Sequence, residues 1–208
     1  MPYKIERMRL EDVPEVVAVD RRCFSTPWPA DAYRREVTHP ERNLYIVLRR
    51  IGEGPLTQPD PKGGGFLTNI LPFLKEGEAP NTEPIVGYAG LWIVNDEAHV
   101  TTIAVLPEVR RQGLGELLLL TLMEHARAKG AQWVTLEARV SNTGAHALYR
   151  KYTFKDAGYR RRYYSDDGED ALVMWSDRVD TLEFARKLEE LRSQLQARLD
   201  GSLLGVSV

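Results

Sequence analysis

Apolar and polar residues follow two periodicities along the chain, which together predict seven strands and five helices. Short alternating or continuous apolar runs, typical of strands, cover residues 3–8, 44–49, 85–94, 98–105, 133–140, 154–164 and 170–175. Apolar residues at helical spacing cover residues 11–22, 30–37, 113–129, 142–152 and 179–199. Turn-forming residues separate neighbouring strands, as in Asn95-Asp96 and Asp166-Asp167-Gly168. The pattern therefore mixes strands and helices along most of the chain.

Residues 52–84 interrupt this pattern between the second and third strands. The segment contains Gly63-Gly64-Gly65 and prolines at positions 55, 59, 61, 72, 80 and 84. Glycine and proline at this density favour a loop without regular structure. We interpret the segment as a partly disordered insertion loop within one domain of residues 1–178.

The last predicted helix carries an apolar stripe whose members are four, three and four residues apart: Phe184, Leu188, Leu191 and Leu195. Such a stripe fits an amphipathic helix packed on its own domain. It also fits a short heptad seam between two copies. Residues 179–208 are therefore predicted to form a C-terminal amphipathic helix and tail, and the protein is expected to be a monomer or a weak homodimer.

The composition is that of an ordinary globular protein. Among 208 residues, 43% are hydrophobic and 28% charged, and the formal net charge of −2 gives no global reason to bind nucleic acid or an anionic membrane. The single cysteine, Cys23, excludes an internal disulfide and a Cys-rich metal site. The charged N-terminus lacks the apolar core of a signal peptide, so a cytoplasmic location is expected, without membrane association.

The segment Arg110-Arg111-Gln112-Gly113-Leu114-Gly115 precedes a leucine-rich helix and is the strongest candidate for a ligand site. Unpaired N–H groups at a helix start attract a phosphate, and glycine lets the phosphate approach the main chain. A P-loop needs Lys and Ser or Thr after the second glycine, but Glu116 and Leu117 follow it. A dinucleotide fingerprint needs Gly or Ala where Leu118 stands. A plain glycine-containing helix start is the remaining alternative.

The stretch 102–154 resembles the GNAT superfamily of N-acetyltransferases, whose glycine signature is matched by Arg110, Gly113 and Gly115. The resemblance implies an α/β fold with a mixed, mostly antiparallel central sheet, flanked by helices and splayed where acetyl-coenzyme A inserts. It also implies that the cosubstrate is held by these residues: Ile103, Ala104, Val105, Arg110, Arg111, Gln112, Gly113, Leu114, Gly115, Glu116 and Asn142. The four histidines lack metal-ligand spacing, so no metal is expected.

A second motif, Leu136-Glu137-Ala138-Arg139-Val140-Ser141-Asn142 followed by Ala147-Leu148-Tyr149, resembles the bacterial ribosomal-protein-alanine N-acetyltransferases. The resemblance implies Glu137 as the base, Tyr149 as the acid, and a protein N-terminus as the acceptor. An α-amine of pKa about 8 is mostly protonated near neutral pH, so a base is needed, and a carboxylate could serve if partial burial raised its pKa. The acceptor implied is the N-terminal alanine of a small-subunit ribosomal protein.

The acceptor is expected to contact Trp28, which follows Phe24 and Pro27 in an early loop, and Tyr164, which ends the aromatic and basic run 159–164. Read alone, that run could also be an RNA-binding patch or one face of a hairpin strand. We interpret it as a wall of the acceptor groove and expect no direct nucleic-acid contact.

Each catalytic candidate also has an ordinary structural explanation. Glu137 could be a surface residue paired with Arg139. Tyr149 could be a core aromatic, and Asn142 could cap the helix it precedes. At the level of function, two alternatives stay open: acetylation of a small amine or a lysine side chain, and a non-catalytic module that binds acyl-coenzyme A.

The chain departs from the family pattern at three places, and these put the acceptor in doubt more than the cosubstrate. Thr153 stands where the family usually has glycine, so the turn there must either adopt another backbone shape or tolerate strain. Ala138 replaces a larger apolar residue. The insertion 52–84 lies between strands, where it could border the acceptor groove.

Overall fold

A computed structural model describes residues 2–52, 83–199 and 203–207. The strands are β1 (Tyr3–Arg7), β2 (Asn43–Arg50), β3 (Ile85–Val94), β4 (Glu97–Val105), β5 (Trp133–Arg139), β6 (Lys155–Arg160), β7 (Ala171–Trp175) and β8 (Leu203–Ser207). The helices are α1 (Val13–Cys23), α2 (Ala30–Val37), α3 (Leu114–Ala128), α4 (Thr143–Lys151) and α5 (Leu182–Leu199). Residues 53–82, almost the whole of the predicted insertion, lie outside the described residues.

The described strands form one sheet in the order β6-β7-β5-β4-β3-β2-β1-β8. Neighbours are antiparallel except for the pairs β4–β5 and β1–β8, which are parallel. The mixed, mostly antiparallel sheet predicted by the resemblance is therefore confirmed. Strand β8 lies in the segment that the sequence pattern predicts only as a tail, and it extends the sheet beyond the seven predicted strands.

Strands β4 and β5 separate about halfway along their length, and this separation is the predicted splay. Their ladder pairs residues 97–100 with residues 133–136 and ends there, although β4 continues to Val105 and β5 to Arg139. The pairing of β3 with β4 is irregular at the same level: Leu91 is opposite Val100 and Gly90 is opposite Thr102, so Thr101 is the extra residue. A bulge increases local twist, and it falls where the two strands begin to separate.

Several element ends differ from the predictions for local reasons. The strand predicted over 154–164 stops at Arg160, because Arg162 has a positive φ of 50° and the chain turns there. The last helix begins at Leu182 rather than 179, because the Thr181 hydroxyl accepts the backbone N–H of Phe184 at 3.1 Å and caps the helix start.

Helix α5 is packed on its own domain. Its apolar stripe, Phe184, Leu188, Leu191 and Leu195, is at most 5% exposed and belongs to the main core cluster. This stripe is buried without a second copy, which favours the first of the two interpretations of its spacing. In the described part of the chain, no helix is long and apolar enough to cross a membrane.

Thr153 tolerates strain, one of the two outcomes expected at this position. Its φ is +68°, in the left-handed region that costs a residue with a Cβ about 1–2 kcal/mol. Glycine would remove that cost. It would also give the unfolded chain more conformational freedom, which lowers the free energy of unfolding by about 0.4–1 kcal/mol. We expect Thr153→Gly to raise the free energy of unfolding by about 0.5–1 kcal/mol in a denaturant titration.

A matched control for this variant is Thr38→Gly. Thr38 also follows a helix, but it is exposed and its φ is −81°, where threonine is unstrained. The same substitution should therefore lower stability there, by roughly 0.5–1 kcal/mol. If Thr153→Gly were also destabilising, the bond that the Thr153 hydroxyl accepts from the Asp177 N–H at 3.3 Å would outweigh the backbone strain.

Candidate active site

The glycine segment forms a tight turn between the end of β4 and the start of α3. Arg111 and Gly113 both have positive φ values, 66° and 87°, which bend the chain into the helix. The first helical hydrogen bond runs from the N–H of Leu117 to the carbonyl of Gly113, at 2.9 Å. The N–H groups of residues 114–116 therefore have no partner within the helix and lie at the positive end of its dipole. This arrangement suits a phosphate group.

Arg110 and Cys23 both contact the last carbonyl of β4. The Arg110 Nε donates to the Val105 carbonyl at 2.9 Å, and the Cys23 Sγ lies 3.5 Å from the same oxygen. These contacts tie the turn to the strand end. Burial raises the pKa of the Cys23 thiol, so it stays protonated at neutral pH, which argues against a two-step transfer through this residue.

The side chain of Glu116 is committed to a buried ion cluster. It accepts a bond from Lys151 Nζ at 2.5 Å, another from the Tyr152 hydroxyl at 3.1 Å, and a third from Arg198. Burial alone would raise the pKa of this carboxyl, but Lys151 and Arg198 bring it below its usual value. The cluster joins α3, α4 and α5, and only the backbone N–H of Glu116 remains for the predicted cosubstrate contact.

Glu137 lies on β5 just beyond the point where β4 and β5 separate. Its side chain is only 7% exposed, and both carboxylate oxygens are engaged: Oε2 lies 3.1 Å from His99 Nε2, and Oε1 lies 2.8 Å from a guanidinium nitrogen of Arg160. The suggestion that burial raises the pKa of this base is wrong. The hydrogen bond from His99 has the largest effect and, with Arg160, lowers the pKa despite burial. The alternative pairing with Arg139 is also not observed.

His99 is a site residue that the sequence did not single out. Its Nδ1 lies 2.9 Å from the Thr135 hydroxyl and its ring lies against Trp92, with centroids 6.3 Å apart. The ring is thus held from two sides while its other nitrogen faces Glu137. Only the register of the parallel β4–β5 pair, which sets His99 opposite Thr135, indicates that His99 belongs to the site. That register cannot be read from spacing along one strand.

Tyr149 is partly buried on α4, with its ring packed on Phe154 at a centroid distance of 5.8 Å. Burial, with a smaller contribution from Tyr164, raises the pKa of its phenol to about 12. In the described part of the chain no hydrogen bond to the Tyr149 hydroxyl is formed. It is a protonated phenol with a free donor. Asn142 caps the same helix, since its Oδ1 accepts the Ala145 N–H at 3.2 Å.

Trp28 and Tyr164 lie on two loops that meet. The Trp28 N–H donates to the buried carboxylate of Asp20 at 2.7 Å, which fixes the loop between α1 and α2. The Tyr164 ring is covered by the Arg139 guanidinium, 4.0 Å from the ring centroid. The hydroxyl of Ser25 bonds to Asp166, so the first loop contacts the turn that follows Tyr164.

The second loop is organised by Arg139, which pairs with Asp166, Asp167 and Glu169 at 2.7, 2.9 and 3.0 Å. A cation surrounded by three carboxylates and a ring orders the loop that carries Tyr164. Arg139 thus orders the loop that carries Tyr164 and is not a partner of Glu137. Among the described residues, no group of three or more His, Cys, Asp and Glu side chains could hold a metal ion.

The splay thus has, on the β4 side, a turn whose open N–H groups suit a phosphate and, on the β5 side, a buried, ionised carboxylate, with a protonated phenol on the following helix. These features define an N-acetyltransferase, and the chain belongs to the Acetyltransferase (GNAT) family, which matches residues 13–154.

Two relatives narrow the comparison. A ribosomal protein bS18-alanine N-acetyltransferase of Escherichia coli strain K12 is 41% identical over 172 residues, 82% of this chain and 94% of that protein. The N-alpha-acetyltransferase RimI of Mycobacterium tuberculosis is 32% identical over 181 residues, 86% of this chain and 95% of that protein. The crystal structure of the ribosomal-protein-S18-alanine N-acetyltransferase from Escherichia coli superposes with a TM-score of 0.63, covering 86% of this chain and 95% of that chain, with 28% of the superposed residues identical.

Proposed function

We propose that this enzyme transfers the acetyl group of acetyl-coenzyme A directly to a protein N-terminal α-amine, and that the acceptor is the N-terminal alanine of ribosomal protein bS18. The observation that carries the proposal is the ionised, nearly buried Glu137 at the splay, across from the glycine turn. The relatives in Escherichia coli bear the name of that acceptor, and they align over most of both chains.

The cosubstrate would lie along the splay. The open N–H groups at the start of α3, with Arg110 and Arg111 beside them, suit its pyrophosphate. The end of β4, residues 103–105, no longer pairs with β5 and so has backbone groups facing the gap, which suits the amide-bearing pantetheine arm. Asn142 sits at the N-cap of α4 on the other side, where its exposed amide could contact the same ligand.

Glu137 and Tyr149 would move the two protons of the reaction. Glu137 removes a proton from the acceptor ammonium, and the freed amine attacks the thioester carbon. The tetrahedral oxyanion that forms is stabilised by backbone N–H groups. As the carbon–sulfur bond breaks, Tyr149 gives its proton to the leaving thiolate, and the second proton that the attacking nitrogen loses as the amide forms restores the phenol. His99 holds the carboxylate of Glu137 in position throughout.

The decisive experiment compares N-terminal peptides, by mass spectrometry, from cells with and without this protein. We expect the bS18 N-terminus to be acetylated only when the protein is present. In vitro, a peptide with a free N-terminal alanine should be acetylated in preference to polyamines and to the same peptide with a blocked N-terminus and an internal lysine. Preference for polyamines or lysine would replace the proposed acceptor, and tight binding of acetyl-coenzyme A without any turnover would favour a binding module.

Two further expectations follow from this acceptor. A ribosomal protein is made in the cytoplasm, so we expect the enzyme to act there. Because the apolar stripe of α5 is already buried within the chain, we expect a monomer or at most a weak homodimer.

Gly113 offers a test of the cosubstrate site. Its φ is +87°, which alanine adopts only with strain, and a Cβ would lie 3.2 Å from the Leu195 Cδ1 of α5, so that side chain would have to move slightly. We expect Gly113→Ala to raise the Kd for acetyl-coenzyme A about tenfold, in line with about 1–2 kcal/mol of backbone strain. Calorimetric titration measures this change.

Gly130→Ala is the matched control for that variant. Gly130 ends α3 with a similar φ of +82°, but a Cβ there would meet nothing within 4 Å. The free energy of unfolding should fall by a similar amount in Gly130→Ala and Gly113→Ala, but Gly130→Ala should keep its affinity for acetyl-coenzyme A. Equal affinity losses in both variants would mean that the effect is a general loss of stability and not a change at the turn.

A further inference from the structure

The two nitrogen donors that contact Glu137 are held in place very differently. The ring of His99 is fixed by the Thr135 hydroxyl and by Trp92, and its side chain is 33% exposed. Arg160 ends β6, the edge strand of the sheet, and its side chain is 57% exposed. Within the described part of the chain, its other polar or ring contact is the ring of Tyr163, 5.6 Å from the guanidinium carbon.

The pair between Arg160 and Glu137 should therefore be easy to break. An ion pair with a half-exposed partner shifts an equilibrium by at most about fivefold, because water competes for the charge and ordering a long side chain costs entropy. By contrast, His99 can leave Glu137 only by giving up its contacts with Thr135 and Trp92 as well. If a ligand displaces one of these two groups, it displaces Arg160.

An acceptor α-amine of pKa about 8 reaches the site mostly as an ammonium ion. To give its proton to Glu137 it must come within hydrogen-bond distance of a carboxylate oxygen. Both oxygens are already engaged, and the side chain is almost fully buried. The incoming ammonium has the same charge as the guanidinium and can make the same kind of contact. Unlike the guanidinium, it can release its proton.

We infer that Arg160 holds the place of the acceptor ammonium on Glu137, and that acceptor binding exchanges one cation for the other while His99 stays. The inference rests on the proposed function and adds a selective step to it. A charged N-terminus can replace Arg160, whereas an acetylated N-terminus, which carries no charge, cannot. The product would accordingly be released as Arg160 returns.

The exchange also changes the charges that face Glu137. These are His99 from β4, Arg160 from β6, and the phenols of Tyr163 and Tyr164 from the loop after β6. Arg160 helps to lower the pKa of Glu137 in the free enzyme. Once Arg160 has left and the ammonium has given up its proton, that influence is gone. The carboxyl group therefore holds the proton it has accepted more firmly than it would beside Arg160.

Arg160→Gln tests the exchange, with Arg178→Gln as the matched control. The Arg178 side chain is 50% exposed, pairs with Asp180 instead of Glu137, and has its guanidinium carbon 5.4 Å from the centroid of the Trp133 ring. With coenzyme A bound, Arg160→Gln should bind a free-amine acceptor peptide about two- to fivefold more tightly, since no cation competes. The same peptide with an acetylated N-terminus should bind unchanged. Arg178→Gln should alter neither affinity, as measured by calorimetry.

The pH profiles supply a second readout. Activity needs Glu137 ionised, so kcat/KM for the acceptor falls as pH drops through the pKa of Glu137 in the free enzyme. Removing Arg160 raises that pKa, so the acid limb of kcat/KM should move to higher pH in Arg160→Gln. The acid limb of kcat reports the complex, from which Arg160 has already departed, and should not move.

Two results would overturn the exchange: weaker binding of both peptides by Arg160→Gln, which would make Arg160 a groove contact, or pH profiles that match those of Arg178→Gln. Either result leaves the proposed function intact as long as the wild-type enzyme acetylates the free-amine peptide. If the wild-type enzyme acetylates no peptide N-terminus, the proposed function fails and the exchange fails with it.

Discussion

Glu137→Gln is expected to lower kcat/KM for the acceptor peptide by about 10²–10⁴-fold, the range that a positioned general base contributes. Glutamine has nearly the same shape and can still contact His99, but it cannot accept a proton from the ammonium. The site is therefore preserved while its chemistry is removed. Steady-state kinetics with a free-amine peptide measures the loss, and calorimetry should show little change in the Kd for acetyl-coenzyme A.

The control for this variant is Glu124→Gln. Glu124 is also a partly buried carboxylate paired with an arginine, Arg192, but it lies on α3 facing α5 and away from the splay. Its loss should leave the rate within about twofold of the wild type, since removal of a partly exposed pair has a small effect. A comparable fall in both variants, or a Glu137→Gln enzyme of near-normal rate, would remove Glu137 from the role of base.

Tyr149→Phe is expected to lower kcat by about 10²-fold, because the thiolate would then leave without its proton donor. The raised pKa of about 12 means that the phenol is protonated throughout the usual assay range, so its contribution should not fade as pH rises toward 10. The ring packing on Phe154 is kept by phenylalanine, so stability should change little. Measuring kcat with saturating cosubstrate and acceptor isolates the effect.

Tyr159→Phe provides the comparison for the tyrosine. Tyr159 is 59% exposed on β6, and loss of its hydroxyl should leave kcat unchanged. An acid role would be contradicted if Tyr149→Phe kept its kcat with natural acetyl-coenzyme A while losing affinity for it. That outcome would assign the hydroxyl to ligand binding.

Most of the fold could be predicted from local sequence, because the periodicity of each segment specifies its own strand or helix. The strand over 85–94 matches its predicted bounds, and the hairpin between β3 and β4 turns at the predicted Asn95-Asp96. The exact ends of the elements could not be predicted where a single side chain determines them, as the Thr181 cap does at the start of α5. Strand β8 was missed because its pairing with β1 is a contact between distant segments, which leaves no local pattern.

The candidate site also contains residues that local sequence could predict and residues that it could not. Glu137, Tyr149 and the glycine turn are recognisable because they belong to contiguous motifs. His99 and Arg160 reach Glu137 from two other strands, so their roles depend on how β4, β5 and β6 lie in the sheet. The direction of the pKa shift on Glu137 depends on those same two residues. Burial alone predicted the opposite direction, and it was outweighed by partners that sequence spacing does not reveal.

The ion cluster around Glu116 affects the entropy cost of each catalytic cycle. Glu116 is in the first turn of α3, and Lys151 lies two residues after Tyr149 on α4, so their contact fixes the proposed proton donor relative to the glycine turn. Arg198 of α5 bonds to the same carboxylate and so joins the last helix to the cluster. The two halves of the site are thus aligned as one rigid body before any ligand arrives. The entropy of aligning them is lost once, during folding, and not again in every catalytic cycle.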